Sequence, residues 1–287
     1  MKPVRWRQAF LAAAVALLPA CSHAWGQQAT SAPPNAEVYA IRYGTLRNFR
    51  VASLVAGADT SRRMDVALTI WLIKRTDGRI VLVDAGFYRD KFMASWKPAD
   101  YRKPSDAVRA FGVKPEDITD IIVSHVHWDH MDGVDLFPNA RVWIQREEYA
   151  HHVGDTGRSL DRAADSLDAA MLFGLNQAGR VQLIDGDGRE ILSGITVYTG
   201  GKHTFASEYA AVRTGNGTIV LASDNAYLYE NLAKHAAIAQ TLDVASNLAA
   251  QERMARLATE PRLIVPGHDP DVFTRFPSPG NGVARIR

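Results

Sequence analysis

Short apolar runs that end in glycine, proline or aspartate recur along this chain, and they set the element pattern. Val38-Tyr39-Ala40-Ile41 and Val66 to Ile73 predict strands, and Thr76-Asp77-Gly78 predicts a hairpin turn into Ile80-Val81-Leu82-Val83. Ser105 to Phe111 predicts a short helix capped by Ser105 and stopped by Gly112. Strands follow at Asp117 to Val123 and Ala140 to Ile144, then an amphipathic helix at Ser159 to Phe173. The second half repeats the strand theme at Val181 to Ile184, Thr196 to Tyr198, Tyr209 to Arg213 and Thr218 to Ala222. A helix over Val244 to Ala258 precedes a last strand at Arg262 to Val265. Two strand-rich halves with helices predict two sheets packed face to face and covered outside by helices.

The N-terminus has a different pattern. Lys2, Arg5 and Arg7 precede the apolar run Ala9 to Ala20, which is too short to span a bilayer and fits a secretory signal. Ser22-His23-Ala24 suits signal peptidase, so residues 1–24 form the expected signal peptide. Leu18-Pro19-Ala20-Cys21 competes as a lipoprotein box that would place a lipid anchor on Cys21, but Pro19 fits that box poorly. Residues 25–36 are expected to be a flexible tether, and residues 37–287 the single globular domain. The expected location is therefore exported, either periplasmic or secreted.

Composition narrows the class. With 47% hydrophobic and 22% charged residues the chain suits one large globular core. Cys21 is the sole cysteine, which excludes an intramolecular disulfide. Deducting the leader's three basic residues from 33 leaves 30 against 31 acidic ones, so the mature charge offers nothing to nucleic acid.

The chemistry is concentrated in Ser124-His125-Val126-His127-Trp128-Asp129-His130-Met131-Asp132-Gly133. Imidazoles and carboxylates are the ligands that borderline divalent ions prefer. The run Ile121-Ile122-Val123 before them reads as a buried strand. Extended backbone sends His125 and His127 to one side, and Asp129 and His130 follow as the chain turns toward a helix. Two residues can face one ion and two its neighbour. Three later strands empty into loops that begin with a further ligand. Gly200-Gly201-Lys202-His203 is one, with glycines that would let backbone approach an ion; Ser223-Asp224 and Pro266-Gly267-His268 are the others. His151-His152 and His235 have no partner at useful spacing and are expected at the surface.

This set, His125-x-His127-x-Asp129-His130 followed by His203, Asp224 and His268, resembles the metallo-β-lactamase superfamily over nearly all of the mature chain. The resemblance implies a four-layer αββα sandwich of α/β class with two divalent ions, zinc by default, at one edge of the sheets. His125, His127 and His203 would hold the first ion and Asp129, His130 and His268 the second. Asp224 would bridge both, and Asp84 would support them from behind.

Asp224 departs from typical metallo-β-lactamases, and only nineteen residues follow His268, too few for the C-terminal region of glyoxalase II-type thioesterases. Tyr227, three positions after Asp224, matches a tyrosine of N-acyl-homoserine lactonases, and Pro266 to Pro270 with Arg275-Phe276-Pro277 is similar to that group. The implied reaction is opening of a lactone ring by a metal-bridging hydroxide. Tyr227 would steady the oxyanion and Asp129 or a metal-bound water would return the proton. A β-lactamase or broad esterase on the same metals is an alternative; another is a metal- or signal-binding protein without turnover. Two segments are candidate substrate walls: Phe87, Tyr88, Phe92, Met93, Trp96 and Tyr101 form one, and Met171, Leu172 and Phe173 the other.

Overall fold

The computed structural model describes Met1, Pro3 and residues 35–287, and the described strands and helices all belong to the compact unit Pro33–Arg287. The expected signal peptide, both cleavage sites, Cys21 and nearly all of the tether lie outside the described residues. Ala36, assigned to the tether on sequence, already pairs with Arg75 in the first sheet.

The first half runs β1 (Ala36–Arg50), β2 (Arg63–Arg75), β3 (Ile80–Val83), α1 (Asp90–Trp96), α2 (Pro104–Ala110), β4 (Asp120–Ile122) and α3 (Trp128–Met131). Next come β5 (Arg141–Gln145), α4 (Arg146–His152), α5 (Ser166–Gln177), β6 (Val181–Ile184), β7 (Arg189–Leu192), β8 (Ile195–Thr199), β9 (Glu208–Thr214) and β10 (Gly217–Ser223). The chain closes with α6 (Tyr229–Lys234), α7 (Val244–Leu257), β11 (Ile264–Pro266), α8 (Val272–Arg275) and β12 (Val283–Ile286).

Among the described residues the strands form two sheets, ordered β12-β1-β2-β3-β4-β5-β6 and β11-β10-β9-β8-β7. The first is antiparallel as far as β3 and parallel from β3 to β6. Alternation along the strands sorts the core into layers. Val38 and Ala40 of β1 with Trp71 and Ile73 of β2 face Val197, Val212 and Leu221 of the other sheet. Their neighbours Ile41, Leu68, Ile70 and Leu72 face the helices on the opposite side. Val220, Ala222 and Ile264 on the outer face of the second sheet bury Ala250 and Met254 of α7. Helix, sheet, sheet and helix thus stack as the expected αββα sandwich.

Several elements differ from expectation. β6 joins the first sheet rather than opening the second, and β12 returns from the far end of the chain to the edge of β1. The halves are therefore seven- and five-stranded. Helix α2 starts one residue earlier than expected, with Pro104 at its first position and Lys103 rather than Ser105 as cap. Proline is preset for that first turn and has no N–H there to leave unpaired. The helix expected from Ser159 begins only at Ser166. Asp161 and Asp165 spend their side chains on the backbone N–H groups of Ala163 and Leu167, holding the preceding stretch out of the helix.

Candidate dinuclear metal centre

All seven expected ligands converge at one end of the sandwich, each just past the end of a strand. His125 lies in the loop after β4, His127 caps α3, and Asp129 and His130 occupy the first turns of that helix. His203 follows β8, Asp224 follows β10 and His268 follows β11. Parallel pairing of β10 with β11 brings the ends carrying Asp224 and His268 side by side.

The donor atoms form two adjoining groups. In one, His127 Nδ1 lies 3.0 Å from His125 Nε2 and 2.8 Å from His203 Nε2. Asp224 Oδ2 closes this group at 3.3 Å from His203 Nε2 and 3.7 Å from His125 Nε2. In the other, Asp224 Oδ1 lies 3.3 Å from His130 Nε2 and 3.0 Å from His268 Nε2. Asp129 Oδ2 completes it at 3.6 and 3.7 Å from the same two nitrogens. An ion held tetrahedrally by bonds of 2.0–2.1 Å separates its ligands by roughly 3.3 Å, close to these edges. Each Asp224 oxygen faces a different group, which is the geometry of a bridge.

Satisfaction of polar atoms tests the fit. His130 Nε2 and Asp224 Oδ1 are buried and have no hydrogen-bond partner among the described residues. Such orphans cost about 1–3 kcal/mol each unless something else fills their valence. The outward nitrogens, by contrast, are engaged. His203 Nδ1 lies 2.8 Å from the Gln240 carbonyl and His268 Nδ1 2.9 Å from that of Ala67. A carbonyl accepts only, so both rings carry hydrogen on Nδ1 and turn the Nε2 lone pair into the site. The residues present suit a pair of divalent ions.

Asp84, at φ +60° after β3, supports the centre directly. Its Oδ2 lies 2.7 Å from His130 Nδ1 and accepts from Ser223 Oγ at 2.9 Å, while Oδ1 accepts from the Ser124 N–H at 2.9 Å. The imidazoles diverge in basicity. Burial, reinforced by neighbouring histidines, holds His125 far below the ordinary histidine range and His127 down to about 3. Burial also opposes charge on His130 and His268, but Asp224 and Asp129 outweigh it and raise both. His125 and His127 are thus neutral lone-pair donors, the form a metal binds.

The glycines of the His203 loop act differently from the expectation. A Cβ on Gly201 would sit 2.1 Å from Asn225 Oδ1, so the missing side chain admits the Asn225 carboxamide rather than an ion. Asn225 in turn donates to the backbone carbonyls of Glu208 and Ala222.

Two contributors had no sequence signal. Glu148, fully buried on α4, accepts from the Val126 N–H, the Thr204 hydroxyl and the Ala206 N–H at 3.2, 2.6 and 2.7 Å. It ties the His127 loop to the His203 loop, across sequence distances no local pattern spans. Asp132, inside the first motif, accepts from the N–H groups of Tyr88 and Arg89 and pairs with the Arg89 guanidinium. His235 is exposed, as expected. His152 is not: it is buried and gathers with His151 and Asp161.

Tyr227 hangs over the centre. It is 3% exposed, and its hydroxyl lies 3.2 Å from His203 Nδ1. Its ring lies between those of His203 and His268, with centroids 5.5 and 5.8 Å away. Burial first, then the Asp224 and Asp129 carboxylates, push its pKa well above the ordinary tyrosine value, so the hydroxyl keeps its proton.

A cavity of about 250 Å³ opens onto His127, Asp129, His203, Asp224, His268 and Tyr227. Its apolar wall is Leu46, Phe49, Leu54, Val66, Trp96 and Trp128. Of the two expected walls only Trp96 contributes. Phe87 is buried against Tyr43 and Trp128, and Leu172 of α5 is buried in the core. A larger cavity of about 910 Å³ is lined by residues such as Arg62, Tyr229 and Arg275 and touches none of the seven ligands. Chemistry, not volume, marks the site.

Residues 65–268 match the Metallo-beta-lactamase superfamily domain, a span that takes in all seven ligands. The chain belongs to the metallo-beta-lactamase superfamily. Within it, this superfamily member is 27% identical over 179 residues to the N-acyl homoserine lactonase AttM of Rhizobium radiobacter. That alignment covers 60% of this chain and 65% of the relative's length. Among solved structures, a B. thuringiensis AiiA variant with N-decanoyl-L-homoserine bound at its active site superposes with a TM-score of 0.66 at 21% identity. The match covers 82% of this chain and 94% of that one. The dizinc quorum-quenching lactonase AidC, in complex with its hexanoyl-homoserine product, superposes with a TM-score of 0.60 at 19% identity, covering 88% and 95%. At these identities the structural likeness establishes the fold.

Proposed function

We propose that this protein is an exported dinuclear metallo-hydrolase that opens the ring of N-acyl-homoserine lactones, with zinc as its metal. The observation that carries the reading is Tyr227: a protonated hydroxyl beside His203, with its ring against His268, lining a cavity that has one apolar wall. The AttM, AiiA and AidC relatives support the substrate class, and the dizinc state of AidC together with five imidazole ligands supports zinc. Export rests on the leader pattern alone; no helix among the described residues is long and apolar enough to cross a membrane.

Divalent ions bound in the two groups would polarise the lactone carbonyl and make water acidic enough to attack near neutral pH. The chain's own residues orient and complete the reaction. The Leu46, Phe49 and Leu54 wall receives the acyl chain and fixes which carbonyl enters. Tyr227 donates a hydrogen bond to the carbonyl oxygen as it gains charge. Asp129 takes the proton released by water as the new C–O bond forms, and returns it to the ring oxygen as the ester C–O bond breaks. One lactone and one water thus become a hydroxy acid. No covalent acyl-enzyme intervenes, and the only cysteine lies outside the domain.

The test is a pH-drop assay of the zinc-loaded protein on acylated homoserine lactones, unacylated lactones and a β-lactam. Preferential opening of the acylated lactones is expected. Turnover confined to the β-lactam or to unrelated esters would overturn the substrate and leave the metal centre standing.

A further inference from the structure

A second constellation of metal-binding side chains lies beside the dinuclear centre. His151 and His152 end α4, and Asp161 follows in the loop that folds back onto it, held there by the Leu160 N–H donating to the His152 carbonyl at 3.0 Å. One donor atom from each of the three lies within 4.8 Å of the others. Asp161 Oδ1 is spent on the Ala163 N–H, which leaves Oδ2 facing the histidines. That oxygen lies 2.8 Å from His152 Nδ1 and 3.5 Å from His151 Nε2.

An ordinary surface ion pair is the simplest account, and His152 argues against it. Its side chain is 3% exposed, yet neither ring nitrogen has a hydrogen-bond partner among the described residues. The 2.8 Å approach to Asp161 lacks the direction of a hydrogen bond. A buried imidazole whose ring nitrogens lie unpaired beside a carboxylate oxygen is what an ion bound by both would satisfy. The His151 ring is also held in place, stacked on Phe205 at 4.0 Å with 2° between the planes.

We propose that His151, His152 and Asp161 form a further divalent-cation site, taking a borderline ion such as zinc through two imidazoles and one carboxylate. The site is built to leave a coordination position open. Its residues line a cavity of about 390 Å³ together with His127 and His203, so the ion would share that cavity with ligands of the first group. It also bears on that pair through the protein. His152 Nε2 lies 3.6 Å from the carboxylate of Glu148, the residue that ties the His127 and His203 loops together. An ion that orders His152 braces this tie, which makes the site a positioning device for the first group of ligands.

Metal stoichiometry tests this without substrate, and therefore independently of the lactonase reading. The full chain, saturated with zinc and freed of loose ions by gel filtration, is compared with His151→Ala/Asp161→Asn and with Asp224→Ala. Both positions of the double variant are exposed, and circular dichroism checks its fold. The double variant is expected to hold one ion fewer than the native protein, and Asp224→Ala to keep the ion that the double variant loses. Equal metal content in the native protein and the double variant would overturn the proposal. Anomalous scattering from zinc-soaked crystals gives a second reading: a peak among the three side chains supports the site, and its absence at saturating zinc refutes it.

Discussion

Asp224 does at residue scale what no pair of separate ligands could, since one carboxylate presents Oδ1 to His130 and His268 and Oδ2 to His125 and His203. Asp224→Ala is therefore expected to abolish hydrolysis and to release bound metal, measured by elemental analysis beside the rate. Retained turnover would remove its bridging role. In the proposed reaction Tyr227 would touch the substrate, but no donor group is incomplete without it. Tyr227→Phe is expected to lower kcat by about 10² with metal content unchanged, the usual loss on removing one oxyanion donor. His125, His127, Asp129 and His130, with His203, Asp224 and His268, were legible as candidate ligands because ligand chemistry is a property of side-chain type and strand ends are marked by turn residues; Tyr227 was legible only through the family resemblance. Glu148 and the His151, His152 and Asp161 group were not. A buried glutamate declares its role only through what it ties together, and Val126 and Thr204 stand 22 and 56 residues away.

The elements place these residues to within a few tenths of an ångström. Gly267, between β11 and His268, shows how little room that leaves: a Cβ there would meet Ser223 O at 2.8 Å and Asp224 Oδ1 at 2.9 Å. Gly267→Ala is expected to displace the bridging carboxylate and weaken metal binding by about 10–100-fold, read from competition with a metal indicator. Arg89 joins α1 to the loop after α3 and to α5, pairing with Asp132 and, at 2.6 Å, with Asp168. Burial, then the neighbouring Asp132 charge, push the Asp168 pKa up to about 8 against the pull of Arg89. Unfolded, it would ionise near about 3.9. Between those values the folded state binds more protons than the unfolded one. This group's contribution is thus complete below about pH 4 and is lost as pH rises toward 8, the reverse of an ordinary ion-paired aspartate. Asp168→Asn is expected to flatten that decline in a series of thermal melts from about pH 5 to 8. An unaltered slope would show Asp168 ionised in the fold.

For the whole molecule, the ligands are drawn from loops after β4, β8, β10 and β11, so both sheets must be packed before either group is complete. Bound ions should therefore stabilise the fold as a whole. Ions at a thousandfold excess over Kd contribute about 4 kcal/mol per site, or roughly 10 °C in a domain of this size. Chelation is expected to lower Tm by at least that amount and to abolish hydrolysis, with both restored by zinc. A Tm indifferent to chelation would mean that the loops are held without metal.

Local pattern alone pointed to two packed sheets under outer helices and to the seven candidate ligands, and the family resemblance pointed to the tyrosine beside them. Apolar periodicity and ligand chemistry reside in consecutive residues, and so survive without coordinates. Sheet membership was decided only in three dimensions, because β6 and β12 carry the same local signal whichever sheet accepts them, and pairing across the fold chooses. The same holds for the cavity wall. Phe87 and Trp96 are close in sequence and alike in character, yet packing against Tyr43 buries the first and the turn of α1 delivers the second to the cavity beside the candidate ligands. His152 was settled there too, its burial and its approach to Asp161 being products of a loop that folds back on its own helix.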